Sequence, residues 1–487
     1  MAQGSPSPEQ ENAESGGRWL GLTGLCIGVF MFTLDASIVN VALPTLVEAL
    51  HTTFAVVQWV VLAYLLVATA LVMAAARWGD MFGKRRAYVA GLALFTFGSL
   101  LCGIAPSIEW LIAFRAVQGL GAVFVSALGA AIVGEMFSPH ERGRAMGMIG
   151  SAVLLGVAVG PSIGGFIIEL AGWRWMFLVN IPVGALAIAV IYRFVPDIPG
   201  QPARHPFDWP GTVLAAIMLG ALALGLTWGQ HDGFGDTRVL ALLAIAVIGC
   251  IAFIYVEARS AGPLLDLSVF NNRTFANGLF TASLMFMVLS GTGFLMPFFL
   301  EVVAGYPTAK VGMLLAISPI AGGLVAPLGG ALADRIGGPL VTIAGLFLIA
   351  LGCASFVAVD QHLGVVGYAL RVVPIGFGMG LFNAANNSSI LNSVARERLG
   401  LASALLSLMR TLGQTTGVPV IAAVFSLAAL GHTVAADRSA LLHLPAESLV
   451  RGIHFAFGTA ACLVACGLAS ATFEYAHSRL RASAPTS

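Results

Sequence analysis

The chain has 487 residues, 58% of them hydrophobic and only 10% charged, with 24 basic and 23 acidic side chains and a formal net charge of +1. Its mean hydropathy of +0.92 excludes an ordinary soluble globular protein of this length. The near-neutral balance gives no electrostatic footprint for nucleic acid. Apolar runs of about 20 residues, the length that crosses a hydrocarbon core, recur throughout. Alternating ten-residue strands are absent, so the spans are helices rather than the staves of a barrel.

In chain order, residues 1–17 are rich in Ser, Pro, Gly and Glu and read as a disordered tail. They lack the basic start and small-residue cleavage site of a signal peptide. Fourteen spans follow, near 19–43, 54–76, 86–104, 109–134, 144–168, 174–194, 209–229, 238–257, 275–301, 309–331, 339–358, 363–390, 401–429 and 452–473. With both termini cytoplasmic, the inside segments receive Arg18, Arg77, Lys84, Arg85, Arg86, Arg142, Arg144, Arg193, Arg204, Arg259, Arg273, Arg335, Arg396, Arg398, Arg479 and Arg481. The outside segments receive Arg174, Arg238, Lys310, Arg438 and Arg451. This positive-inside bias supports the orientation and an even number of spans in a cell membrane.

Asp35 stands out in the first span, within Leu34-Asp-Ala-Ser-Ile-Val-Asn-Val-Ala-Leu-Pro44. A carboxyl group in hydrocarbon is costly and marks an ion or proton pathway by default. Every other Asp or Glu can be placed in a loop or at a helix end. Arg115, in span four, shares its depth when both are counted from the outer surface at about 1.5 Å per residue. The two could approach, so that moving Arg115 or water between two conformations would couple proton release to transport. A structural arginine bonding helix carbonyls is the alternative. Arg371 and Arg410 also lie inside spans without an obvious acid, and bonding carbonyls, lining water and binding an anionic group are all open to them.

An internal repeat divides the chain. Ala76-Arg-Trp-Gly-Asp80-Met-Phe-Gly83-Lys84 returns 254 residues later as Gly330-Ala-Leu-Ala-Asp334-Arg-Ile-Gly337-Gly338. Arg115-Ala-Val-Gln-Gly-Leu-Gly121 returns as Arg371-Val-Val-Pro-Ile-Gly-Phe-Gly378, at an offset of 256. Two matches at nearly one offset imply two homologous six-helix halves. The expected units are residues 1–17 as a tail, 18–195 and 273–475 as six-helix bundles, 196–272 as a linker with two extra spans, and 476–487 as a second tail.

These motifs resemble the fourteen-span drug:proton antiporter branch of the major facilitator superfamily, the EmrB/QacA type, over roughly residues 19–475. The Leu34–Pro44 segment matches its first-span signature, and residues 76–86 its loop motif between spans two and three. Arg115, Gln118, Gly119 and Gly121 match the span-four motif, and Gly156-Val-Ala-Val-Gly160-Pro161-Ser-Ile-Gly164-Gly165 the span-five antiporter motif. Trp173-Arg-Trp-Met-Phe177 with Asn180-Ile-Pro182 matches the start of span six. The loop motif departs at Ala76 and Met81, and its second copy ends in Gly338-Pro339 instead of a basic pair.

The resemblance implies an all-α membrane protein of the major facilitator fold, two six-helix bundles plus two central spans, working by alternating access. It implies a transporter driven by protons, with no cofactor and no enzymatic activity, that exports small hydrophobic and often cationic compounds across the inner membrane. Asp35 and Arg115 would couple the proton. Asp80, Gly83, Lys84, Arg85, Asp334 and Arg335 would latch the outward-facing state, though the basic cluster could simply fix topology. Gly156, Gly160 and Pro161 would form a packing and flexing device between the halves.

The cavity is sketched from polar and aromatic residues on the spans: Asn40, Gln58, Trp59, Tyr64, Gln118, Phe286, Phe294, Asn383, Asn386 and Asn387. Phe and Met supply an adaptable apolar surface, although each is as readily ordinary packing. No phosphate-binding loop for direct ATP drive is present. The six Cys fall within spans, the nine His in loops or near helix ends, and neither set makes a metal or catalytic constellation. A dedicated exporter of one neutral or anionic metabolite, antibiotic or lipid remains the alternative. Whether an adaptor protein extends the export path is left open.

Overall fold

A computed structural model describes residues 8–52, 54–57, 59–197, 208–259, 265, 267–361, 363–430 and 445–483. Its helices, in order, are α1 (Pro8–Ala49), α2 (Phe54–Val57), α3 (Trp59–Ala70), α4 (Val72–Phe82), α5 (Lys84–Gly103), α6 (Ile108–Met136), α7 (Arg142–Ala171), α8 (Trp175–Leu178) and α9 (Asn180–Phe194). There follow α10 (Trp209–Asp232), α11 (Thr237–Glu257), α12 (Arg273–Phe298), α13 (Thr308–Leu315), α14 (Ile317–Ile336), α15 (Gly338–Ser355), α16 (Val365–Asn392), α17 (Leu399–Leu430) and α18 (Ala446–Ser483). Among the described residues thirteen helical runs, α8–α9 and α13–α14 each taken as one, are long and apolar enough to cross a membrane, and the bent pair α3–α4, taken as one span, makes a fourteenth. Among the described residues there is no strand.

Two sequence expectations change. Helix α1 begins at Pro8, so residues 8–17 continue the first span's helix instead of forming a disordered tail. Ala, Glu and Gln there are good helix formers, and extending an existing helix avoids the cost of nucleation. The second span is bent by 52° between Trp59–Ala70 and Val72–Phe82. Neither Gly nor Pro stands at Leu71, which is why the sequence reads as one straight run.

The packing of the two bundles is asymmetric across the membrane. One buried apolar cluster runs from Val29, Tyr88, Leu128 and Ile132 of the first bundle to Phe275, Ile390, Leu399 and Leu405 of the second. It lies at the face carrying Lys84, Arg142 and Arg396, here the basic face. A second cluster, around Leu34, Val60, Leu111 and Phe177, belongs to the first bundle alone. A third, around Met285, Phe356, Phe382 and Phe457, draws on the second bundle apart from Leu154. Apolar contact thus fuses the bundles at the basic face, while towards the opposite face each keeps its own core.

Glycines make that seal close. Gly143 of α7 and Gly330 of α14 meet backbone to backbone, and a Cβ on Gly147 would stand 2.8 Å from Pro327 Cα. Ser151 Oγ donates to the Gly323 carbonyl (2.5 Å), Arg142 to Asn392 Oδ1 (2.6 Å), and Ser407 of α17 to the Ser126 carbonyl of α6 (2.9 Å). The inserted α10 packs against α3 and α17, with Trp228 set edge-on to Trp59 at 6.4 Å.

Candidate functional site

Asp35 and Arg115 form a fully buried ion pair, 2.6 Å between Oδ2 and Nη1 and each 1% exposed. The other carboxylate oxygen accepts from Gln118 Nε2 (3.0 Å) and Asn180 Nδ2 (2.9 Å). Ser99 Oγ accepts from the same two amides, at 2.6 and 3.3 Å. Arg115 also donates to the Val60 carbonyl (3.0 Å) and to Gln118 Oε1 (2.5 Å), with its guanidinium over the Tyr64 ring at 4.3 Å. Four helices, α1, α5, α6 and α9, supply these polar groups, and α3 supplies the Val60 carbonyl and the Tyr64 ring.

Chemically, every partner of Asp35 is a donor. The arrangement therefore matches a carboxylate, and a proton on Asp35 finds an acceptor only when one donor withdraws. Charge-assisted bonds of this kind are strong, the more so in a buried site. Protonation is thereby tied to movement of Arg115, Gln118 or Asn180. Glu257 is the other buried acid among the described residues, but it ends α11 and accepts from the Leu265 N–H at 3.0 Å.

The sequence reading placed Asp35, Arg115, Gln118 and Tyr64 on spans; the structure gathers them in one cluster, Gln118 bonded to the carboxylate and the Tyr64 ring against Arg115. Ser99 and Asn180 were missed as site residues. Asn180 could have been singled out as an amide inside an apolar run two residues before Pro182. Ser99 carries no comparable signal, since a serine inside a span usually bonds its own helix.

Substituting Arg115 by glutamine is expected to strip the cation from a buried carboxylate and destabilise the fold by about 3–5 kcal/mol at neutral pH. A thermal unfolding series on the purified protein checks this, and an unchanged midpoint would mean the pair contributes nothing to stability.

Asn386 Nδ2 donates to the Gly278 carbonyl (3.0 Å), joining α16 to α12, and Asn383 Nδ2 to the Met379 carbonyl (3.1 Å). Asn387 is buried and Phe294 exposed. Phe286 lies under Arg410, 5.1 Å from guanidinium to ring centroid. Gln58 falls outside the described residues, as do the side chains of Asn40 and Pro161.

At the basic face the two copies of the loop motif reach across to the opposite bundle. Asp334 of α14 accepts from the Gly143 and Arg144 N–H groups at the start of α7 (2.8 and 2.9 Å), where an anion complements the helix dipole. Asp80 of α4 lies against Gly400 at the start of α17, where a Cβ would stand 2.5 Å from its carboxylate. Asp80 also pairs with Lys84 (2.7 Å), which pairs in turn with Glu135 (2.6 Å). Gly83 turns the chain at φ +100°, a conformation that suits only glycine. Arg85 stays within its own bundle, bonding the Val195 carbonyl (2.9 Å) and Asp197 (3.4 Å). Arg335 is exposed.

The span-five motif needs correction. Gly156 and Gly160 face Thr33 and Ser37 of α1, so they allow close packing inside the first bundle. It is Gly143 and Gly147, earlier on the same helix, that touch the second bundle. Both faces of α7 are glycine-lined, and spacing alone does not say which face meets which neighbour.

Residues 25–418 match the family model described as the Major Facilitator Superfamily. The chain belongs to that superfamily. This facilitator is 34% identical over 408 residues to the multidrug resistance protein Stp of Mycobacterium tuberculosis, covering 83% of the chain and 75% of Stp. It is 32% identical over 410 residues to the riboflavin transporter RibZ of Clostridioides difficile, covering 84% and 88%. Among solved structures, the proton:xylose symporter XylE shares its fold with a TM-score of 0.65 at 15% identity, over 95% of this chain and 96% of that one. The facilitator is therefore a multi-pass membrane transporter and not an enzyme, with several relatives named multidrug resistance proteins.

Proposed function

We propose that this facilitator is a proton-coupled exporter of hydrophobic compounds, a drug:proton antiporter of the fourteen-span EmrB/QacA branch. It lies in the inner membrane with its basic face and both termini towards the cytoplasm. The observation that carries the reading is the buried Asp35–Arg115 pair, a protonatable group inside a membrane span, where such a residue marks a proton pathway by default. The names of the relatives support export of drugs.

In this reading the closed basic face corresponds to the outward-facing state. A proton entering from outside displaces a donor from Asp35, the cluster rearranges, and substrate leaves. Opening of the basic face then releases the proton inwards and readmits substrate. Asp334 at the α7 N-terminus and Asp80 against α17 hold the outward state.

Proteoliposomes with an imposed pH gradient test this directly. Ethidium and a panel of neutral and anionic compounds are followed with and without the gradient. Gradient-dependent movement of any one of these classes is the expected result; transport indifferent to the gradient would overturn proton coupling. Export of a neutral or anionic metabolite is the second reading, and Arg410 favours it.

A further inference from the structure

Three arginines lie inside the spans, and two have partners that account for them. Arg115 holds Asp35. Arg371, its repeat counterpart, donates Nε to the Ser355 carbonyl (3.1 Å) and Nη1 to the Gly367 carbonyl (2.9 Å), a structural arrangement complete in itself. Arg410 differs. Among the described residues no hydrogen bond or ion pair holds it, and its Nε is shielded from solvent without a partner. Its one contact of note is the Phe286 ring beneath the guanidinium.

Its position tells where the free donors point. Arg410 stands eleven residues past the start of α17, about 16 Å along the helix from the basic face at 1.5 Å per residue. Ser407, three residues earlier, is bonded to Ser126 across the seal (2.9 Å). Gln414, four residues later on the same helical face, is exposed. That face passes from a residue bonded across the seal to an exposed one, and Arg410 marks the transition. The residue is itself only half-buried.

An unpaired guanidinium at this depth is costly, and a ring contact offsets only part of that cost. The fork of donors is suited to a planar oxyanion, and the aromatic floor to a flat apolar body. We propose that Arg410, backed by Phe286, recognises a carboxylate or equivalent oxyanion on a hydrophobic, aromatic substrate, at the floor of the cleft between the bundles. The proposal rests on the export reading and narrows its substrate class: amphiphilic organic anions, and not permanent cations, which the unpaired charge repels. Seating at the floor of the cleft also places the substrate where closing and opening of the seal are felt.

Equilibrium binding to the full chain in lipid nanodiscs, at one pH and with no gradient, tests it. The probes are pyrenebutyrate, its methyl ester and pyrenemethylammonium, with empty nanodiscs subtracted. The wild type is expected to bind the carboxylate roughly tenfold or more tightly than the ester, the scale of one charge-assisted contact, and the ammonium most weakly. Arg410→Gln is expected to make carboxylate and ester equal, whereas Arg410→Lys, which keeps the charge and loses the fork, keeps a reduced preference. Absence of an anion preference in the wild type overturns the proposal whether or not the variants fold, as does an unchanged preference in Arg410→Gln. A site that merely holds chloride would give the first of these results. Because no gradient is used, failure of proton coupling in proteoliposomes sinks the antiport reading and leaves this measurement standing.

Discussion

Replacing Asp35 by asparagine is expected to abolish gradient-driven accumulation while substrate exchange without a gradient continues. Each proton exchanged across a gradient of about one pH unit is worth roughly a tenfold substrate ratio, since a factor of ten corresponds to 1.4 kcal/mol. Asparagine keeps one acceptor oxygen, enough for Arg115 or for Gln118 and Asn180 but not for both sets, and has no site for the transported proton. Its accumulation ratio should fall to one at every imposed gradient, whereas counterflow, which needs only alternating access, should survive. If Asp35→Asn still accumulates substrate about tenfold per pH unit, the coupling group lies elsewhere.

The second large effect concerns the seal at the basic face. Gly330 meets the Gly143 backbone, and any side chain there collides with main chain that has no rotamer to yield. Gly330→Leu should therefore penalise the closed state selectively. Overpacking of a close contact costs about 1–3 kcal/mol, and a bias of that size shifts a two-state balance by roughly 5- to 150-fold. A cysteine introduced at Ser403, buried on α17 just beneath the seal, reports the shift through its maleimide labelling rate from the basic face. The rate should rise by a factor in that range. An unchanged rate would mean that the α7–α14 contact does not close this face. The opposite face, where each bundle keeps its own apolar core, offers no comparable barrier.

These two expectations draw on different levels of organisation. Asp35, its span and its cost in lipid are sequence facts: one acid in a long apolar run needs no tertiary knowledge to be singled out. The repeat from Asp80 to Asp334 and the run of motifs are equally local, which is why fold class and superfamily were legible. The sealing glycines were not. Gly156 and Gly160 sit in the quotable motif yet pack on α1, while Gly143 and Gly147, a few turns earlier, face the other bundle.

The sequence by itself determined that the chain crosses the membrane many times, that it is built from two related halves, and that Asp35 is a buried acid at the depth of Arg115. Hydrophobic length, positive-inside bias and internal repetition are read along the chain, so they survive without coordinates. Only the tertiary structure decided which donors surround Asp35. Ser99 and Asn180 come from spans far apart in sequence, and their convergence depends on packing angles that no residue pattern records. It also decided that Arg371 is satisfied by carbonyls while Arg410 is not. In sequence both are arginines in apolar helices. The difference arises because the packing of neighbouring helices fixes what each guanidinium can reach.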